Sequence, residues 1–264
     1  MSAAVPRETA TANVIAIVNQ KGGVGKSTTA VNLGASLALL GRRVLVVDID
    51  PQGNTTTGVG VDKRAVERDI YNVLLQHASI AEVTRGTEVE NLSIVPATLN
   101  LAGAEVELVS TLQREGRLKV ALAPVLAQYD EILIDCPPSL GLLTINALTA
   151  ANEIIIPVQA EYYALEGLSQ LVAIVRRIKE GLNPELIIRG VLITMFDGRT
   201  KLAMEVLDEV HRHFPERVFR TQIPRNIRLS EAPSYGKPAI LFDVKSRGAQ
   251  AYLSLARELQ GISA

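Results

Sequence analysis

Asn19–Thr28, NQKGGVGKST, places three glycines, two lysines and two hydroxyl residues within ten positions. Gly22, Gly23 and Gly25 permit backbone conformations closed to other residues, so that successive N–H groups from Lys21 through Val24 to Thr28 can face phosphate oxygens. Lys26 has the reach for β- and γ-phosphates, and the Ser27 hydroxyl can ligate Mg²⁺. A helix beginning near Lys26 adds the positive end of its dipole at the same place. Gly25-Lys26-Ser27 is the second half of a Walker A motif, but the first glycine of that motif would fall on Gln20, and Lys21 is an additional cation. The dinucleotide fingerprint fails as well, because Thr28 stands where its third glycine belongs. The loop predicts a nucleoside triphosphate site.

Two acidic runs add to it. VLVVDID puts Asp48 and Asp50 two residues apart at the end of an apolar strand, on one face. EILID ends in Asp135, in the form of a Walker B site whose carboxylate holds Mg²⁺ through water. The alternative for each is a strand-terminal carboxylate capping the next helix. Cys136 reads as a buried structural thiol. His211 and His213, two apart on a predicted helix, point in different directions and are not a metal pair.

Positioning these groups requires strands that end together. Strands are predicted at 14–18, 44–48, 92–95, 131–135, 153–157, 187–194 and 218–223, rich in Ile and Val and suited to burial on both faces. Helices are predicted at 26–40, 114–128, 164–180, 201–214 and 246–259, with Gly41 and Gly181 as C-caps. The alternation specifies an α/β fold, a doubly wound, mostly parallel sheet with helices on both faces, of the P-loop NTPase type. Residues 14–264 read as a single domain after a disordered tail, 1–13. Residues 53–68, with three threonines in a row, read as a long surface loop placed to sense nucleotide.

The chain has 264 residues, 27 Lys plus Arg and 28 Asp plus Glu, a net charge of −1, with 47% apolar and 21% charged residues. That composition excludes disorder as the main state. One cysteine excludes an intramolecular disulfide framework and suggests a reducing, cytoplasmic setting. No apolar run approaches a membrane span. Residues 199–247 hold ten Lys/Arg against six acids, a local balance of 10 − 6 = +4, which leaves about −5 for the remainder. A basic face follows, without the aromatic platforms of a single-strand binder. On charge alone, a solvated surface and a DNA patch are equal readings.

KGGVGKST resembles the deviant Walker A loop of the ParA/MinD family of ATPases, whose hallmark is the lysine at position 21. FDGRTKLA (196–203) and IPRNIRLSEAPSYGKP (223–238) resemble segments of the chromosomal, Soj-type branch. The likeness spans residues 14–260. It implies a homodimer closed around two ATP and Mg²⁺, with Lys21 crossing to the partner's nucleotide. It also implies that Asp50 positions the attacking water, that Asp48 stands near Mg²⁺, and that Pro224 and Asn226 lie near the adenine. For non-specific double-stranded DNA it implies Arg199 and Arg228, with Arg225, Lys237 and Arg247 as further candidates. The implied function is a partition ATPase on the nucleoid, triggered by a ParB-like centromere-binding protein and moving a chromosome or plasmid. A MinD-like membrane-surface regulator is the alternative, but the C-terminal AQAYLSLARELQGISA lacks the basic face that would hold anionic lipid. A non-catalytic ATP-binding scaffold is disfavoured by Asp50 and Lys21.

Overall fold

Because the Ile- and Val-rich runs are apolar at successive positions, each can bury both faces, and the chain uses them as the middle layer of a three-layer fold. The computed structural model describes residues 11–161 and 164–262, with the side chains of 164–166 outside that description. The described strands are β1 (Asn13–Ile17), β2 (Val44–Asp48), β3 (Arg85–Gly86), β4 (Leu92–Val95), β5 (Glu131–Asp135), β6 (Glu153–Gln159) and β7 (Ile187–Thr194). They form one sheet in the order β3-β4-β2-β5-β1-β6-β7, parallel except for the two-residue β3. Side chains alternate between two cores: Val14 and Ala16 enter one, Ile15 and Ile17 the other. The helices Lys26–Leu39 and Arg247–Leu259 cover one face through Leu33, Leu37, Tyr252 and Leu255. Leu142–Ala150, Ala164–Gly181 and Lys201–His213 cover the opposite face through Leu148, Leu171 and Val206. Register brings the central strands to one level, with Asp48 and Ile17 both opposite Asp135.

Four expectations change. The predicted tail 1–13 overlaps the fold: residues 1–10 lie outside the described residues, but Ala12 is buried, its N–H bonds the Leu126 carbonyl, and β1 starts at Asn13. Residues 218–223 are not a strand. Val218 and Pro224 make isolated bridges to Val191 and Phe196. Between them the N–H groups of Arg220 and Thr221 turn to the Glu258 carboxylate, at 2.7 and 2.9 Å. The single helix expected over 114–128 is three pieces, Arg114–Gly116, Arg117–Leu122 and Ala123–Gln128, of which only the middle one is α-helical. Pro124 lacks the N–H that a continuous helix needs. The expected surface loop 53–68 folds inward as a helix at Asn54–Gly58 and a 3₁₀ turn at Lys63–Ala65, with Thr55 and Thr56 fully buried.

Candidate active site

The loop after β1 is fixed by its neighbours in the fold. Asn19 donates from Nδ2 to the Pro157 carbonyl at 2.7 Å and accepts the Lys21 N–H on Oδ1 at 3.0 Å, tying the loop to β6. Thr194, at the end of β7, donates to the Val24 carbonyl at 2.8 Å. Gly23 and Gly25 adopt φ of 76° and 91°, the left-handed region that disfavours a side chain. Gly25 is the N-cap of the helix Lys26–Leu39, so the first free N–H groups of that helix face the loop's concave side.

Lys26 is buried and its Nζ donates to the Lys21 carbonyl at 3.2 Å. Burial lowers its pKa, and the charge of Asp135 opposes that shift. Lys21 behaves differently. Its Nζ lies 2.8 Å from Glu161 Oε2, with the two side chains 40% and 46% exposed. The additional lysine is therefore paired with a carboxylate of its own chain.

The three aspartates converge as the spacing predicts. Asp48 and Asp135 are fully buried side by side in the register. Asp48 Oδ2 accepts both the N–H and the hydroxyl of Thr56, at 2.8 and 2.7 Å, and Oδ1 accepts the Asp50 N–H at 3.1 Å. Asp135 Oδ2 accepts the Thr55 hydroxyl at 2.7 Å, whereas its Oδ1 is buried without a partner. Burial drives both carboxyl groups upward: Asp135 to about 6 against the restraint of the Ser27 and Thr55 hydroxyls, and Asp48 well above the usual range. Burial also raises the Cys136 thiol, which agrees with a structural role. Asp50 accepts the Gln52 N–H at 2.9 Å and lines the cavity.

An orphaned buried oxygen on Asp135, next to a serine hydroxyl, suits a hard cation that takes its remaining ligands from water and phosphate. Among the described residues no cluster of three acidic, His or Cys side chains could cage a metal alone.

A cavity of about 890 Å³ opens above these groups. Gly22, Gly23, Gly25, Lys26, Ser27 and Thr28 form its floor, and Asp50 and Pro138 one wall. Pro224 and Asn226 also line the cavity, as do Val31, Pro233 and Tyr252. A second groove of about 800 Å³ is lined by Arg199, Arg225 and Arg247, and it shares Pro224 and Arg225 with the first. Arg228 and Lys237 do not line it. Arg228 is shared by Glu231 at 2.8 Å and Asp243 at 3.3 Å, and Lys237 lies 3.5 Å from Glu88. Arg199 is paired with Asp197 yet 89% exposed, while Arg225 and Arg247 make no ion pair among the described residues.

Several contributors escaped the sequence reading: Thr55 and Thr56 under the carboxylates, Thr194 on the loop, Glu161 on Lys21, and Lys63 and Tyr252 in the cavity wall. Only the threonines carried a signal, since three hydroxyls directly after the acidic strand end stand within reach of its carboxylates.

Residues 12–188 match a family model described as an AAA domain. The chain is 60% identical to the sporulation initiation inhibitor protein Soj of Bacillus subtilis over 246 residues, 93% of this chain and 97% of that protein. It is 56% identical to the chromosome partitioning protein ParA of Myxococcus xanthus, over 93% and 87%. A Mycobacterium smegmatis structure described as cobyrinic acid a,c-diamide synthase with bound ATP analog and magnesium superposes with a TM-score of 0.84 at 38% identity, covering 94% of each chain.

Proposed function

The chain belongs to the Soj/ParA family of chromosome-partitioning ATPases and hydrolyses ATP, and from that premise we propose that it works as a nucleotide-timed DNA-binding switch. One observation carries the reading: the nucleotide cavity and the arginine groove share a wall, Pro224 and Arg225, so that what fills one bears on the shape of the other.

In this mechanism the loop N–H groups and Lys26 hold the β- and γ-phosphates. Mg²⁺, held by Ser27 and through water by Asp135, would supply charge neutralisation between those phosphates. Asp50 orients the water that attacks the γ-phosphorus while the bond to the ADP oxygen breaks. Asp48 acts through Thr56 and the Asp50 N–H, holding the strand end in place. Lys21 leaves Glu161 and reaches the nucleotide of a second copy, where its charge stabilises the transferred phosphoryl group as an arginine finger does. Two ATP molecules thereby join two copies.

Dimerisation sets the DNA affinity. The three arginines of one groove, neutralising about three phosphates, give a log–log salt slope of roughly −2.7, and two grooves on one duplex double it. The second contact is then intramolecular, at an effective concentration in the millimolar range. A ParB-like partner that aligns Lys21 and Asp50 would end the bound state and release the protein from the nucleoid. Arg199, Arg225 and Arg247 are the first candidates for phosphate contact, with Arg228 and Lys237 at a separate place on the surface. The membrane-regulator alternative loses ground, because the helix Arg247–Leu259 buries Tyr252, Leu255 and Ala256 in the core and leaves that face unavailable to lipid. No helix among the described residues is long and apolar enough to cross a membrane.

The test is DNA co-sedimentation of wild type and Asp50→Ala without nucleotide, with ADP and with ATP, at two salt concentrations. Salt-sensitive, sequence-independent binding with ATP alone, prolonged in Asp50→Ala, supports the switch. Binding indifferent to nucleotide sinks it.

A further inference from the structure

Lys63 lies thirteen residues beyond Asp50, in the segment read from sequence as a surface loop placed to sense nucleotide, and it lines the nucleotide cavity together with Asp50. Its Nζ donates to the Gln52 carbonyl at 2.6 Å. That carbonyl belongs to a turn closed from within by two other bonds. The Gln52 N–H reaches Asp50 Oδ1 at 2.9 Å and the Gly53 N–H reaches the Asp50 carbonyl at 2.8 Å. Lys63 therefore fastens from outside the turn that presents the Asp50 carboxylate, alongside Asp48 on the Asp50 N–H and Thr57 on the Gly53 carbonyl.

The stem of Lys63 matters as well as its charge. Gly53 sits at φ 60°, and a Cβ there would come within 2.6 Å of both the Ala97 carbonyl oxygen and Lys63 Cδ. The Lys63 side chain thus lies flat across the one residue of the turn that has none. Asp62 accepts the Arg64 N–H at 3.0 Å and caps the short 3₁₀ turn Lys63–Ala65, which fixes where the Lys63 side chain starts.

We propose that Lys63 is a positioning residue for hydrolysis, clamping the 50–53 turn so that the Asp50 carboxylate faces the γ-phosphate position. The proposal rests on the reading of Asp50 as the residue that orients water. It gives the 53–68 segment a defined task in which the 3₁₀ turn delivers a cation to the back of the catalytic aspartate. A carboxylate displaced by an ångström loses up to about a hundredfold in rate, and a turn that keeps its other bonds loses less.

The test is phosphate release at saturating ATP, with KM for ATP and ADP affinity by calorimetry, for Lys63→Ala, Lys63→Met, Lys63→Arg, Arg64→Ala and Asp50→Ala. The expected result is a kcat lower by about tenfold in Lys63→Ala and Lys63→Met, with ADP affinity within about twofold of wild type. Lys63→Arg, which keeps a donor for the Gln52 carbonyl, recovers most of the rate. Arg64→Ala removes the same charge one residue away and leaves the rate unchanged. An unchanged kcat in Lys63→Met overturns the proposal, as does a loss confined to nucleotide affinity, which would make Lys63 a phosphate ligand. Failure of Lys63→Arg to recover the rate, with a lowered melting temperature in all three variants, overturns it in favour of a folding role. If Asp50→Ala keeps its activity, it is the reading of Asp50 that fails, whatever Lys63 does.

Discussion

The nucleotide cleft and the arginine groove lie against the same wall but are built in opposite ways. The cleft draws on contiguous runs, 19–28, 48–56 and 135–138, whose charged groups other than Lys21 are buried and bonded within the fold: Lys26 on a carbonyl, Asp48 on Thr56, Asp135 on Thr55. The groove takes Arg199 from the turn after β7, Arg225 from the segment beside it and Arg247 from the start of the last long helix. Its side chains stand in solvent, and Asp197 already occupies one of them. A buried site must satisfy each polar group, so substitutions there are expensive. An exposed cationic groove works by summed, screened attraction, and each arginine is worth little alone.

Four measurements would break or sharpen that contrast, and the largest effect is expected at the additional lysine. Lys21→Ala should lower partner-stimulated kcat by about 10³-fold or more, the scale of a finger removed from a phosphoryl transfer. Phosphate release should show the loss while ADP binding to the monomer persists; a loss of ADP binding would instead make Lys21 part of its own chain's pocket.

Proton competition comes next. Asp135, raised by burial to about 6, must be ionised to face Mg²⁺, so Mg²⁺-dependent ATP affinity should fall as pH drops through 6 and be weaker by about tenfold at pH 5. Stability without nucleotide should move the other way. A carboxyl whose folded pKa lies above its unfolded value stabilises the fold most when protonated, and that contribution fades as pH rises through about 6. Calorimetric titration and thermal melting across pH 5 to 8 check the two signs separately.

For the groove, Arg247→Ala should weaken ATP-dependent DNA binding by a few fold at moderate salt and reduce the magnitude of the salt slope by about 0.9 per lost contact in each copy. An unchanged slope would remove Arg247 from the phosphate contacts.

The smallest effect belongs to Glu161. Its pair with Lys21 is roughly half exposed and of the kind worth about 0.2–1 kcal/mol. Glu161→Gln should therefore favour ATP-dependent dimerisation by only about 1.4- to 5-fold per subunit in sedimentation analysis. A larger gain would mean that the pair is a true latch; a decrease would mean that Glu161 also serves the dimer.

The sequence by itself determined the phosphate loop, the two acidic strand ends and the parallel sheet. In each case the chemistry is local: glycines dictate backbone shape, and both-face burial demands unbroken Ile/Val runs. Lys26, Asp50 and Asp135 were legible because their neighbours in the chain are also their neighbours in space. Tertiary structure alone decided the rest. Residues 218–223 fail to become a strand because Glu258, some forty positions away, takes two of their N–H groups. Thr55 and Thr56 turn inward because Asp48 and Asp135 need donors in a place that water cannot reach. Lys21 rests on Glu161 across 140 positions, Tyr252 reaches Thr29 across 223, and the arginines meet only where β7 and the last helix bring them. Side chains carry no mark of the distant atom they will bond, and only packing supplies that partner.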